Sequence, residues 1–233
     1  MKYKIFYTIL ITCISTNSYS SYISDEDLSK LPKYDSGAVV VQDSEISGYT
    51  LASRSQQKSL GYLYVADSYA KELLEIGKNG EPDINDNPDP SDTHMKRHLS
   101  SIQLAFKFKE LSFLDKKDLI GFSMANGYHE KQGWDGIAEF FNYPEIGTCV
   151  YTLLNMKISH GGIKIPKDIV KYDINNKITA ILVKGNEKDG FIHNVSWYDK
   201  IYDHQLECAN MEFNKETTQK VINLAKKIDN EIY

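Results

Sequence analysis

The first twenty residues constrain this chain most, because they decide which of its cysteines can shape the fold. Met1–Lys4 carries two lysines and no acid, Ile5–Ser15 is a short apolar run, and Ser18 and Ser20 place small residues before a cleavage point. This layout is typical of a secretory signal peptide. A transmembrane helix needs about 18 apolar residues, which the run does not reach. We therefore expect residues 1–20 to be a cleaved signal peptide and the mature protein to be secreted or periplasmic, without a membrane span.

Removal of that leader leaves two of the three cysteines in the mature chain. Cys13 is discarded, and Cys149 and Cys208 form an even pair in an oxidising compartment. We expect a disulfide between them, with two buried free thiols as the alternative. Acylation of Cys13 is disfavoured because Thr12 stands where a lipoprotein signal carries a small residue.

The charge of the mature chain argues against nucleic acid as a partner. The formal net charge of the whole chain is −5, and loss of Lys2 and Lys4 with the leader makes the mature product −7. Binding to a phosphate backbone needs a clustered basic surface, and no run of lysine or arginine is longer than two. With 41% hydrophobic and 25% charged residues, the chain has an ordinary globular composition. Residues 21–233 are predicted to form a single domain.

The N-terminal half is predicted to be mostly helical. Apolar residues recur at helical spacing over Ser55–Gly77, which indicates a helix, while Gly37–Gln42 and Gly48–Ala52 indicate a β-hairpin before it. Residues 81–92 contain three prolines and five acids, so they form a surface loop. The glycines within Gly127–Gly136 indicate an exposed, irregular connection.

The C-terminal half is predicted to be an antiparallel sheet. Val150–Ile158, Ile178–Lys184 and Phe191–Tyr198 have strand composition, and the last two are joined by a glycine-bounded turn. Asn214 can cap an amphipathic helix whose apolar face includes Val221, Leu224, Ile228 and Ile232. The predicted fold class is therefore α+β, with a mostly helical N-terminal half, a C-terminal antiparallel sheet, a closing helix and one disulfide.

A serine nucleophile is the strongest catalytic candidate. Gly121-Phe122-Ser123-Met124-Ala125 resembles a nucleophile elbow in which the last glycine is alanine. A hydrolase would then need a downstream acid and base, and the candidates are Asp173, Asp199 and Asp203 with His160, His193 and His204. The residues that follow Ser123 do not have the pattern of the helix that an elbow requires. We hold Ser123 with His193 as the alternative, catalytic interpretation.

The metal-site patterns are incomplete. Four oxygen-bearing side chains alternate along the acidic loop: Asp83, Asn85, Asn87 and Asp89. A calcium loop needs a glycine where Pro88 stands and a glutamate where His94 stands. His94 and His98 share the spacing of a zinc protease motif but lack its glutamate. We therefore expect no metal and no cofactor.

The function favoured by the sequence is a non-catalytic binding or accessory protein of the exported class. Its expected partner is another protein or a component of the cell envelope, not a nucleic acid. The 16 tyrosines are compatible with such a role, because tyrosine combines a large contact area with a polar tip. The alternative is a secreted serine hydrolase that uses Ser123.

Overall fold

The structure is a computed structural model that describes residues 22–23, 37–41, 48–80, 86, 94–166 and 170–232. The predicted signal peptide lies outside these residues, and so does all of the acidic loop except Asp86. The helices are α1 (Gly48–Leu60), α2 (Ala70–Asn79) and α3 (Lys215–Ile232). The strands are β1 (Tyr22–Ile23), β2 (Gly37–Val41), β3 (Leu63–Tyr64), β4 (Leu119–His129), β5 (Gly133–Tyr143), β6 (Gly147–Asn155), β7 (Gly162–Pro166), β8 (Lys171–Ile174), β9 (Lys177–Asn186), β10 (Gly190–Tyr198) and β11 (Tyr202–Asn210).

Nine strands form one sheet in the order β1-β4-β5-β6-β11-β10-β9-β3, with β8 added beside β9. The six central strands, from β4 to β9 in that order, pair antiparallel, while the short outer strands β1 and β3 pair parallel. Strands β2 and β7 form a separate parallel ribbon. The central sheet therefore supplies a rigid platform with two faces.

Helices cover both faces of this platform. Val150 and Tyr151 are neighbours on β6 and point to opposite faces, since side chains alternate along a strand. Tyr151 belongs to the larger core, which contains the apolar face of α3, including Val221 and Ile228. Val150 belongs to a smaller core that contains Leu73 of α2.

The predicted α+β division of the chain is wrong. Strands make up 44% of the described residues and helices 23%, so the fold is mostly β-sheet with one C-terminal helix. Residues 119–143 form two long strands, β4 and β5, instead of a helix or an irregular loop. The glycines of Gly127–Gly136, which predict an exposed connection, lie in these strands and the turn that joins them.

The glycines of that segment mark close contacts inside a β-hairpin. Gly133 has φ +101°, and a Cβ there would lie 2.4 Å from the backbone oxygen of Gln103. At Gly136 a Cβ would lie 2.5 Å from a methyl group of Leu154 on the neighbouring strand. These glycines are required by packing, and the strand residues around them are buried, while the turn residues 130–132 are exposed.

The predicted N-terminal hairpin and the single long helix are also absent. Gly48–Leu60 is helix α1, and β2 pairs with β7 in parallel instead of with residues 48–52. Gly61 has φ +85°, which only glycine adopts readily, and it ends α1 before the short strand β3. The stretch predicted as one helix is therefore divided into α1, β3 and α2.

The disulfide and the terminal helix are present. Cys149 and Cys208 are bonded and stand directly opposite each other on β6 and β11, and both are fully buried. Asn214 Oδ1 accepts a hydrogen bond from the Glu216 N–H at 2.8 Å, so it caps α3. In the described part of the chain, no helix has the length and apolar character needed to cross a membrane. A buried disulfide is compatible with an oxidising location.

Local contacts occupy some of the backbone groups at both edges of the main sheet. On the outer side of β4, Lys96 exchanges two backbone hydrogen bonds of 2.7 Å with Phe122. At the opposite edge, Gln56 Oε1 accepts the Tyr64 N–H at 3.1 Å and Gln57 Nε2 donates to the Ile181 oxygen at 3.1 Å. Contacts of this kind discourage unwanted strand pairing.

Candidate functional site

Aromatic and apolar side chains meet where three loops approach one end of the sheet. The loops are those between α1 and β3, between β9 and β10, and between β11 and α3. We call this surface the aromatic corner, and its residues are Leu60, Tyr62, Tyr64, Phe191, Met211 and Phe213. The ring centroids of Tyr62 lie 5.0 Å from Phe191 and 5.1 Å from Phe213, and those of Phe191 and Phe213 are 5.9 Å apart.

The outer layer of the aromatic corner is open to solvent. Leu60 is 48% exposed, Tyr64 54% and Met211 43%. Isolated exposed apolar residues are ordinary, but a group supported by packed aromatic rings is typical of an interaction site. Phe, Tyr and Met are also the residue types enriched at protein interfaces.

The local sequence explains why these side chains converge. The chain turns sharply at Gly61, where a Cβ would lie 2.7 Å from the Phe213 ring. Gly190 has φ +85°, and a Cβ there would lie 2.9 Å from the backbone oxygen of Asn210, the residue before Met211. Glycine at both positions lets the three loops approach closely enough for the rings to pack.

A cavity of about 670 Å³ lies at the opposite end of β10, beside the turn to β11. Asp229 of α3 is one of its lining residues. Its carboxylate accepts hydrogen bonds from Trp197 Nε1 at 2.9 Å, Lys177 Nζ at 2.5 Å and Asn175 Nδ2 at 2.6 Å. Because Asp229 is buried, this carboxylate ties the terminal helix to β9, β10 and the turn before β9.

We expect the substitution Asp229→Asn to lower the free energy of unfolding by about 2 kcal/mol, because it removes the charge that the Lys177 ammonium faces. Urea denaturation measures the change. The matched control is Glu216→Gln, which removes the exposed partner of Lys220 on the same helix and should change the stability far less, because solvent screens that pair. Equal losses in the two variants would contradict a structural role for Asp229.

A chain of three polar residues runs from the core to this cavity. The Tyr151 hydroxyl forms a hydrogen bond of 2.8 Å with His204 Nδ1, and His204 Nε2 lies 3.3 Å from Asp199 Oδ2. Burial lowers the pKa of His204, partly offset by its bond to Asp199. Burial alone would raise the pKa of Asp199, but His204 and the N–H groups of Ile201 and Tyr202 bring it below its usual value. The negative charge therefore resides on Asp199. The three hydrogen-bonded residues together hold the turn between β10 and β11 in place.

The two catalytic candidates, Ser123 and His193, are not brought together. Ser123 lies inside β4 rather than on a strand-to-helix turn, and its hydroxyl donates only to the neighbouring Met124 oxygen at 3.4 Å among the described residues. Three strands separate β4 from β10. Ser123 is in register, strand by strand, with Ser196, three positions from His193 on β10, so the two side chains point to opposite faces.

The surroundings of His193 indicate that it contributes to packing and not to catalysis. It is fully buried, and its Nδ1 lies 2.9 Å from the hydroxyl of Thr218 on α3. Burial lowers its pKa to about 4, so the ring is neutral at physiological pH. The other candidate residues are dispersed: His160 is in the turn after β6, Asp173 is exposed on β8, and Asp203 is buried on β11.

No metal site is formed by the described residues, where no group of three or more His, Cys, Asp or Glu side chains converges. His94 and His98 are both exposed. Asp86 accepts hydrogen bonds from the Arg97 and His98 N–H groups at 2.7 and 3.3 Å, so its carboxylate supports a turn. The alternating residues of the predicted calcium loop lie outside the described residues.

One buried carboxyl group has no signature in the sequence. Glu139 lies in the middle of β5 and is 1% exposed. One oxygen accepts a long hydrogen bond from the Leu111 N–H at 3.4 Å, and the other has no hydrogen-bond partner among the residues that the structure describes. Burial is the main cause that raises the pKa of Glu139 to about 8, and the nearby acids Glu110 and Glu231 raise it further. The hydrogen bond from the Leu111 N–H acts in the opposite direction. This side chain is therefore mostly protonated at neutral pH.

Comparison with known proteins gives no further guide to the function. No family model, no curated protein and no solved structure matches this chain.

Proposed function

We propose that this protein is an exported, non-catalytic binding or accessory protein that recognises another protein or a component of the cell envelope through the aromatic corner. The observation that carries the proposal is that Leu60, Tyr64 and Met211 are exposed, each two residues along the chain from a ring of the packed cluster of Tyr62, Phe191 and Phe213. Burying such side chains against a partner gives about 25 cal/mol for each Å² of apolar surface. The predicted leader and the buried disulfide support export.

The arrangement of polar groups favours binding over hydrolysis. An acyl hydrolase needs a nucleophile, a base within hydrogen-bond distance of it and donors for an oxyanion. Ser123 and His193 lie on different faces of the sheet, and His204 is engaged with Tyr151 and Asp199. The residues that line the cavity beside Asp229 include acids, amides and lysines, but no serine or cysteine is among them.

Site-specific photocrosslinking tests this role in the exporting cell. A photoreactive phenylalanine analogue at position 64 should yield a discrete adduct with one partner. The same analogue at Lys117, an exposed position outside the aromatic corner, should not. A second substitution, Met211→Glu, should abolish the adduct, because it places a charge in the apolar contact.

Three outcomes distinguish the alternatives. Equal adducts from positions 64 and 117 would mean that the aromatic corner has no specificity, and the proposal would fail. If the adduct at position 64 still forms in the Met211→Glu variant, the partner does not bind through the aromatic corner, and the proposal fails. Ester hydrolysis that is lost in Ser123→Ala, while the crosslinked adduct is absent, would favour the hydrolase.

A further inference from the structure

Three adjacent strands of the main sheet bring a lysine, an asparagine and a glutamate together. Lys184 is on β9, Asn194 on β10 and Glu207 on β11. Glu207 stands directly opposite Asn194, and Lys184 stands opposite Ile192, two residues before Asn194. Paired residues, and residues two apart along a strand, share a face of the sheet. The three side chains therefore lie on the face that α2 covers, because Ile192 belongs to the smaller core.

One carboxylate oxygen connects the amine of the lysine to the amide of the asparagine. Glu207 Oε1 accepts hydrogen bonds from Lys184 Nζ at 3.2 Å and from Asn194 Nδ2 at 3.1 Å. On the other side of the amide, the Ser196 hydroxyl donates to Asn194 Oδ1 at 3.0 Å. Such a donor stabilises the negative charge that a carbonyl oxygen gains when a nucleophile adds to its carbon. The amide of Asn194 is therefore held between a proton carrier and an oxyanion donor.

Solvent has little access to this cluster. The side chain of Lys184 is 12% exposed and that of Glu207 7%. Tyr69, which precedes α2, covers the lysine, whose Nζ lies 5.2 Å from the centroid of the ring. In such surroundings an ammonium group can pass a proton to its carboxylate partner, because two neutral groups need less solvation than two ions. The neutral amine that results is the nucleophilic form of lysine.

We propose that Lys184 and Asn194 react with each other to form an intramolecular isopeptide bond that joins β9 to β10. Glu207 Oε1 takes a proton from the Lys184 ammonium, and the neutral Nζ attacks Cγ of Asn194. Glu207 then gives this proton to Nδ2, the Cγ–Nδ2 bond breaks, and ammonia leaves. Nζ loses a further proton to water, so the product is an amide between the two side chains. The reaction needs no oxidant, reductant or second substrate.

The proposed bond lies beside the aromatic corner and is not part of it. Gly185, which follows Lys184, pairs with Tyr64 of β3 and with Phe191 of β10. A covalent link at this point would hold β9 and β10 in register where they support these two aromatic residues. Formation of the bond depends only on the side chains of the cluster. The proposal is therefore independent of the binding function proposed above.

Mass spectrometry of the purified full chain, denatured and with its disulfide reduced, tests for the bond. We expect a mass about 17 Da below that calculated from the sequence, because one molecule of ammonia is lost. Trypsin does not cleave after a linked Lys184, so residues 178–188 and 189–200 should appear as one branched peptide. An unlinked chain would instead give three separate peptides, which cover residues 178–184, 185–188 and 189–200.

Three variants assign the roles of the side chains. Lys184→Arg keeps the positive charge but replaces the amine by a guanidinium, and Glu207→Gln keeps the shape but removes the proton carrier. Each of these two variants should have the full calculated mass. The matched control is Lys188→Arg, at a lysine whose side chain is 89% exposed, and it should retain the mass deficit and the branched peptide. Circular dichroism confirms that each variant is folded.

Other results would overturn the proposal. A folded wild-type chain that has the full mass and gives three separate peptides would show that the cluster is an ordinary ion pair. A mass deficit that persists in Lys184→Arg would show that ammonia is lost at another site. Formation of the bond in Glu207→Gln as fast as in wild type would exclude Glu207 as the proton carrier. The wild-type peptides and Lys184→Arg test the bond even if Glu207→Gln unfolds.

Discussion

Removal of the Cys149–Cys208 disulfide is expected to lower the free energy of unfolding by about 4 kcal/mol. The bond joins residues separated by 59 positions. In the chain-entropy model, closing a loop of that length removes about 14 cal/mol/K of entropy from the unfolded chain, which amounts to about 4 kcal/mol at room temperature. For a domain of ordinary stability this is a large share of the total. The reduced protein should therefore be close to the limit of stability at physiological temperature.

Urea denaturation of the oxidised protein, the reduced protein and the double variant Cys149→Ala and Cys208→Ala measures this effect. Both cysteines are fully buried, so the double variant also loses packing volume and should be less stable than the reduced protein. Comparison of the oxidised and reduced wild type isolates the covalent bond. Equal urea midpoints for these two forms would show that the disulfide does not stabilise the fold.

The position of the disulfide links stability to the proposed binding surface. Cys208 is on β11, and just beyond the end of that strand the chain supplies Met211 and then Phe213 to the aromatic corner. Cys149 on β6 fixes β11 in register with the centre of the sheet. Loss of the disulfide should therefore weaken partner binding only if the end of β11 unfolds locally, because the disulfide itself is not part of the binding surface. A reduced protein that is fully folded should retain most of its affinity.

Some features of the fold could be predicted because they depend on local or countable signals. The disulfide follows from the even number of cysteines that remains when the predicted leader with Cys13 is left out, without any knowledge of the sheet. Helix α3 follows from its capping residue Asn214 and its apolar stripe. The β9–β10 hairpin follows from two β-branched runs and the turn between Gly185 and Gly190.

Other features depend on contacts between distant residues, which no local pattern reports. Gly136 carries no visible strand signal, yet it fits β5 against Leu154. Strand β2 pairs with β7, far along the chain, and not with its sequence neighbour. The aromatic corner combines Tyr64 of β3, Phe191 of β10 and Met211 of the loop after β11. Tyrosine content indicated that such a surface could exist, but not which tyrosines would form it.

Raising the pH from about 5 to 8 is expected to destabilise the protein through Glu139. Its pKa is raised from 4.5 to about 8 in the folded chain, chiefly by burial. Below pH 4.5 the carboxyl is protonated in both states and has no effect. Between pH 4.5 and 8 the unfolded chain releases the proton while the folded chain keeps it, so stability falls as pH rises. A tenfold change in an acid dissociation constant corresponds to about 1.4 kcal/mol, and the full loss of stability is on the order of 5 kcal/mol.

The variant Glu139→Gln isolates this contribution. Glutamine keeps the shape of the protonated side chain and cannot ionise, so the variant should match wild type near pH 5 and exceed its stability by several kcal/mol at pH 8. The matched control is Glu130→Gln, an exposed position on the turn between β4 and β5, which should leave the pH profile unchanged. Asp203, whose pKa burial raises to about 7, and His193, whose pKa burial lowers to about 4, also titrate. Their effects are common to wild type and variant and cancel in the difference. A difference that stays constant from pH 5 to 8 would show that Glu139 is ionised in the folded protein, and that a compensating contact on its second oxygen must form in solution.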